Sequence, residues 1–284
     1  MTSSTDVIKQ VENKWLNSIN PFVSKLFAAA SIPSHDAHHH QRVWMYCKMM
    51  INEIYPSTSI VSADIVESIL VAAMFHDTGL TIDLGEKHGS LSVTICKQFL
   101  DENPQLELKL LQETFDAIEK HDDKSLKTEG RLTANQLSSP LYIVSTADDL
   151  DAFGYIGVFR YLEIYLKRGI PMERIPQMVI ENLNNRYTNF RNRYFSLNSL
   201  VHQQHERFTI TLDFFSKLHD LHLPHTSIAQ FIASVVNQNH SSIENILNYA
   251  TNNYYNDPAI LNFFMILKEE LSTTTSELGL NTIE

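Results

Sequence analysis

Two cysteines, eight glycines and nine prolines are all that this chain of 284 residues holds of those types. With only Cys47 and Cys96 there is no disulfide framework and no zinc-knuckle spacing, so a reducing cytoplasm is the expected setting. Scarce glycine and proline, with no alternating strands joined by Asn-Gly or Asp-Gly turns, argue against a β-rich fold. Positive charge is short too: 22 Lys and Arg face 33 Asp and Glu, a net charge of −11. Binding a nucleic-acid backbone needs a basic surface, so a duplex is excluded as the main partner. No uncharged apolar run approaches the length of a membrane span, and the first residues lack the apolar run of a signal peptide. The expectation is a cytoplasmic protein without a membrane partner.

What is present is 43% apolar residues, distributed largely at helical spacing, which predicts an all-α protein. A first helix is expected over residues 6–19, with Val7, Val11 and Trp15 on one side. Asn20-Pro21 should break it, with a short second helix to about residue 30. Asp36 is the expected N-cap of a helix that carries His39, Val43, Tyr46 and Met50 on one face, with His38 and His40 pointing elsewhere. Pro56-Ser57-Thr58 reads as a loop, and Ser62 as the cap of the next helix. Further helices are expected over residues 88–100, 107–121 and 141–153, and then from Arg160 to about residue 221. The polar run 122–131 reads as a surface loop. Ser241 and Glu244 have capping-box spacing, and Asp257-Pro258 is a strong helix start. Residues 1–33 read as N-terminal helices on the core, 34–222 as the main domain, and 223–284 as a helical extension that packs on it or serves homo-oligomer formation.

The stretch 69–80, ILVAAMFHDTGL, organises the rest. Ile65, Ile69, Ala72 and Ala73 form an apolar stripe that runs into His76, and Gly79 is expected to end the helix in a left-handed turn. A buried unpaired carboxylate is very costly, so Asp77 needs a cation or a hydrogen-bond network, and a divalent metal satisfies that demand. A second anomaly lies at 141–153, where Leu141, Val144, Asp148 and Asp151 share one face while Asp149 projects toward solvent. The dipeptide His-Asp occurs four times, at 35–36, 76–77, 121–122 and 219–220. Only His76-Asp77 has apolar surroundings. His202 and His205, and His219, His222 and His225, read as polar helix surface.

Three segments together resemble the HD superfamily of metal-dependent phosphohydrolases. His35-Asp36-Ala37-His38-His39-His40-Gln41-Arg42-Val43 is similar to its HDxxHxxRV opening. Met74-Phe75-His76-Asp77-Thr78-Gly79 is similar to its AAxxHDxG centre. Ala147-Asp148-Asp149-Leu150-Asp151-Ala152-Phe153-Gly154, with Ile156-Gly157, is similar to its ADxLDAxGxIG close. The resemblance covers roughly residues 34–220 and implies a helical bundle with extra C-terminal helices. It implies metal ligands His39, His76, Asp77 and Asp148, one or two divalent ions (Mn²⁺, Fe²⁺, Co²⁺, Ni²⁺ or Mg²⁺), and hydrolysis of a small phosphorylated molecule, a nucleotide for preference. His88 and His121 stand where some members hold a second metal; the alternative is a helix-terminal histidine near a phosphate. Asp77 or Asp148 would take a proton from water. Arg42 would pair with phosphate, or with Asp36 or Asp148 inside the fold; Lys87 and Arg160 are further phosphate candidates. Guanosine-tetraphosphate hydrolases of the superfamily carry a Glu-Asp pair after the central motif, where this chain has Leu80-Thr81, which counts against that substrate. The order His39, His76, Asp77, His88, His121, Asp148 also reproduces that of the superfamily's mixed-valent di-iron oxygenases. A non-catalytic signalling module is the third alternative.

Overall fold

Pro21 does not break the first helix. In the computed structural model, which describes residues 3–56, 61–123, 132–236, 238, 240, 242–254 and 256–277, α1 runs unbroken over Ser4–Phe27 with Pro21 inside it. A proline inside a helix forfeits one hydrogen bond, but Trp15, Ile19, Val23 and Phe27 recur every fourth residue and are all buried. That continuous apolar stripe carries the helix across the defect. Its start has a reciprocal capping box between Ser3 and Asp6.

Among the described residues there are thirteen α-helices and no strand. After α1, α2 (Ala37–Ile54), α3 (Ala63–Phe75), α5 (Leu111–Lys120) and α7 (Pro140–Asp151) pack on one another as the centre of the molecule. Ile69, Leu70, Val71, Ala72 and Ala73 of α3 are wholly buried on every side, as a helix apolar all round must be. Alongside stand α4 (His88–Glu102) and the single turn α6 (Ala134–Leu137). A second layer of α8 (Gly154–Lys167), α9 (Ile175–Arg193) and α10 (Asn198–His219) follows. The last helices are α11 (Leu223–Val236), α12 (Ile243–Asn253) and α13 (Pro258–Glu277); α11 and α13 pack against α8. Asp257 caps α13 as expected, accepting from Ala259 and Ile260 N–H.

Several boundaries differ from the sequence reading. Gly79 is not left-handed. α3 stops at Phe75, and Gly79 lies in a 3₁₀ turn, Thr78–Thr81. Glycine is required there for closeness: a Cβ would stand 2.0 Å from the His88 carbonyl oxygen. α5 begins at Leu111 rather than 107, because the Glu107 carbonyl accepts from Lys14 Nζ and Lys109 pairs with Asp64. His40 points inward, wholly buried against Phe27, His39 and His76. Asp149 is buried and paired with Arg186, because α9 covers that side of α7. α12 is capped by Ser242, which accepts from Asn245 N–H. Ser241, the loop residues 57 and 58, and 124–131 of the polar run lie outside the described residues. Among those described, no helix is long and apolar enough to cross a membrane.

Candidate metal centre

Three helix ends bring the chemistry together. Asp36 caps α2, accepting from the N–H groups of His38 and His39, so His39 sits in the first turn with its ring turned into the core. His76 is the C-cap of α3, its own N–H still bonded to Ala72, and Asp77 follows where the backbone leaves the helix. Asp148 and Asp151 lie one turn apart near the end of α7. Because α7 packs against both α2 and α3, the three segments meet.

The resulting geometry is compact. His39 Nε2 and His76 Nε2 are 3.1 Å apart. Asp77 Oδ2 lies 3.4 Å from the first and 3.5 Å from the second; Asp148 Oδ1 lies 3.6 and 3.8 Å away. All four residues are at most 6% exposed. Each imidazole has its other nitrogen committed: His39 Nδ1–H donates to Asp151 at 2.8 Å and His76 Nδ1–H to the Ala73 carbonyl at 2.9 Å. The Nε2 atoms therefore carry lone pairs, and burial pushes His76 below the usual histidine range, which keeps that ring neutral. Two nitrogen lone pairs and two carboxylate oxygens facing one another repel unless a cation stands among them, so this donor set fits a divalent metal. The donors all lie within 4.8 Å of one another.

A second group shares Asp77. Its other oxygen, Oδ1, is 3.1 Å from His121 Nε2 and 3.5 Å from His88 Nε2. These rings are oriented in the same way, His88 Nδ1–H donating to Gly85 O and His121 Nδ1–H to Ile118 O. Burial lowers His121, but the Asp77 carboxylate beside it outweighs that and carries it up to about 9. Close packing is built into the sequence here. A Cβ on Gly89 would lie 2.5 Å from the Glu119 carbonyl, so glycine lets the start of α4 touch the end of α5 and brings His88 and His121 to a ring-centroid distance of 5.3 Å. One carboxylate thus faces a donor group with each oxygen, and the site can hold one ion or two.

Arginines surround the carboxylates. Arg42 donates Nε and Nη2 to the two oxygens of Asp151 at 2.8 and 3.0 Å, which is an ion pair within the fold, though with neither Asp36 nor Asp148. Arg160 donates Nη1 to Asp151 and Nη2 to Asp148, both at 3.0 Å. Burial would raise both aspartates, yet Arg160 holds Asp148, and Arg42 with Arg160 holds Asp151, well below the carboxylate range. Behind Arg160 the chain continues to His35 Nε2 at 3.3 Å, to Ser34, and to the buried Glu163.

The structure therefore gathers His39, His76, Asp77, Asp148, His88 and His121 at one place, with Arg160 against Asp148 and both Arg42 and Arg160 against Asp151 behind them. Lys87 is exposed at the N-cap of α4. Sequence reasoning put Asp151 on the right face without a role, and the structure makes it the acceptor that orients His39. It missed Arg186, which reaches Asp149 at 2.9 Å and Asp148 at 3.8 Å from a polar helix with no motif.

Comparison with known proteins returns a family match alone. No curated protein and no solved structure matches the chain. Residues 37–152 match the HD domain family, a segment that spans α2 to α7 and includes all six gathered residues. The match is to the HD domain, which is the domain of a superfamily of metal-dependent phosphohydrolases.

Proposed function

We propose that the protein hydrolyses a phosphate ester or anhydride bond of a small molecule, a nucleotide for preference. The observation that carries this reading is the convergence of His39, His76, Asp77 and Asp148, with both imidazole Nδ1 atoms committed as donors behind them. These four would hold a divalent ion. When bound, such an ion polarises a phosphoryl oxygen and lowers the pKa of a coordinated water. The chain's own part is positional. Asp151 and Ala73 fix the histidine tautomers, and Arg160 keeps Asp148 ionised. Asp77 and Asp148 are the carboxylates of the donor cluster, and either would take the proton of a water held there. Arg42, paired with Asp151, and Arg160, paired with Asp148 and Asp151, are buried and hold the donors in place. Lys87, exposed beside His88, is left as a cation for the outer charge of a phosphate.

Metal content of freshly purified protein, measured beside His76→Ala, tests the reading. We expect at least one divalent ion per chain, lost in the variant, and turnover of nucleotides with added Mn²⁺ or Co²⁺. Protein that takes up no metal even when supplemented overturns it in favour of a non-catalytic module.

A second reading has its own observation. Asp77, His88 and His121 form a second donor group on the shared carboxylate, completing the six-residue order of the di-iron oxygenases. Two irons per chain with oxygen uptake on an organic substrate, and no phosphate released from any ester, would move the assignment there.

A further inference from the structure

Three arginines meet the carboxylates of α7, and they differ in access. The side chains of Arg42 and Arg160 are 5% and 6% exposed, whereas that of Arg186 is 16% exposed. Arg186 comes from α9, outside the segment that matches the HD family. Its Nη1 lies 2.9 Å from Asp149 Oδ1 and 3.8 Å from Asp148 Oδ2. That second oxygen is the one turned away from the histidines, since Asp148 Oδ1 is the atom near His39 and His76. The guanidinium thus stands one carboxylate's width from the donor cluster and is the most exposed of the three.

It is also held in place. Asn182 Oδ1 accepts from Arg186 Nε at 2.8 Å and from the Tyr161 hydroxyl at 3.0 Å. The guanidinium carbon lies 5.9 Å from the centroid of the Tyr161 ring. A planar guanidinium so oriented matches the oxygens of a phosphate, and little side-chain entropy remains to be lost on binding one. Charge favours the same ligand. Asp77, Asp148, Asp149 and Asp151 oppose Arg42, Arg160 and Arg186, and one divalent cation among the donors would turn that balance positive.

We infer that Arg186 anchors a phosphoryl group of the substrate, so that α9 supplies anion recognition to a metal centre built by α2, α3 and α7. The inference rests on the phosphohydrolase reading and deepens it. Asp149 is then the counter-ion that competes with phosphate for Arg186.

Binding of inorganic phosphate and of pyrophosphate to Mn²⁺-loaded protein, followed by calorimetry, tests this without requiring turnover. Metal content is measured on every variant, and circular dichroism checks folding. Arg186→Ala should keep its metal and bind phosphate about 10- to 100-fold more weakly, the size of a lost charge-assisted hydrogen bond. Arg186→Lys should fall between, keeping charge but losing the fork. Asp149→Asn, which removes the competing carboxylate, should bind phosphate at least as tightly as the parent. Unchanged affinity in Arg186→Ala with metal intact overturns the inference. So does an Asp149→Asn protein weakened as much as the arginine variants, since the pair would then be a structural tie. If Arg186→Ala does not fold, Arg186→Lys and Asp149→Asn decide by the same criteria. Failure of the parent reading looks different: no metal is bound, or phosphate binds through Arg186 while no phosphoester is turned over.

Discussion

His39 and Asp151 are joined by a 2.8 Å hydrogen bond from imidazole Nδ1 to carboxylate Oδ2, across 112 positions of sequence. The same carboxylate accepts from Arg42 and Arg160. One buried side chain therefore sets the tautomer of a candidate ligand and fixes the two guanidinium groups. Asp151→Asn keeps the shape but loses the charge and offers a donor where acceptors are needed. Metal affinity should fall by about 10- to 100-fold, the usual effect of losing such a partner, as read by competition with a chelator. The stranded arginines should also destabilise the fold by about 3–5 kcal/mol, measurable by denaturant titration.

Asp77 faces His39 and His76 with Oδ2, and His88 and His121 with Oδ1. Asp77→Ala should therefore abolish metal binding at both groups, together with activity. His88→Ala should affect only the second. Metal-to-protein ratios distinguish these cases, and an Asp77→Ala protein with full metal content and turnover would refute the shared-carboxylate arrangement.

Gly89 touches the Glu119 carbonyl so closely that a Cβ would lie 2.5 Å from its oxygen. Neither partner is a flexible side-chain end, so Gly89→Ala must push α4 away from α5. The expected result is a loss of about 1–3 kcal/mol in stability. His88 and His121 should separate while His39, His76 and Asp148 stay together. If two ions bind in the parent, the variant should retain one.

Glu163 is wholly buried on α8. Burial raises its carboxyl to about 7 from 4.5 despite hydrogen bonds from the Ser34 hydroxyl and N–H. The folded pKa lies above the unfolded one, so the folded state binds the proton more tightly. The resulting stability is fully present below about pH 4.5 and is lost as pH rises through 7. Relative to Glu163→Gln, which cannot ionise, the parent should lose on the order of 3 kcal/mol between those limits. Unfolding free energies of the two proteins, measured from pH 5 to 8, should diverge as pH rises. Parallel curves would show that Glu163 does not titrate in the fold.

Much of the site was legible because its residues break a local rule. His76-Asp77 stands out as polar groups ending a fully apolar helix, Asp148 as a carboxylate on an apolar stripe, and His39 as a histidine in register with Val43, Tyr46 and Met50. Those contradictions are local, and periodicity exposes them. His40 and Asp149 were misjudged for the complementary reason. A helix has several faces, and which of them is covered depends on neighbours that periodicity on one helix does not reveal: Phe27 of α1 lies over His40, and Arg186 of α9 over Asp149.

The amino-acid sequence by itself determined the all-α class, the caps at Asp36 and Asp257, and the metal-ligand candidates, because helix periodicity, capping and the cost of buried charge act within a few residues. Tertiary structure decided what depends on approach between distant segments. It carried α1 through Pro21 on a buried stripe, and it assigned Gly79 and Gly89 to close packing around His88. It gave each oxygen of Asp77 its own histidine pair, and it brought Arg186 to the outer side of Asp148. Distances of 3 to 4 Å between side chains tens of residues apart are set by how whole helices pack, and no local pattern encodes them.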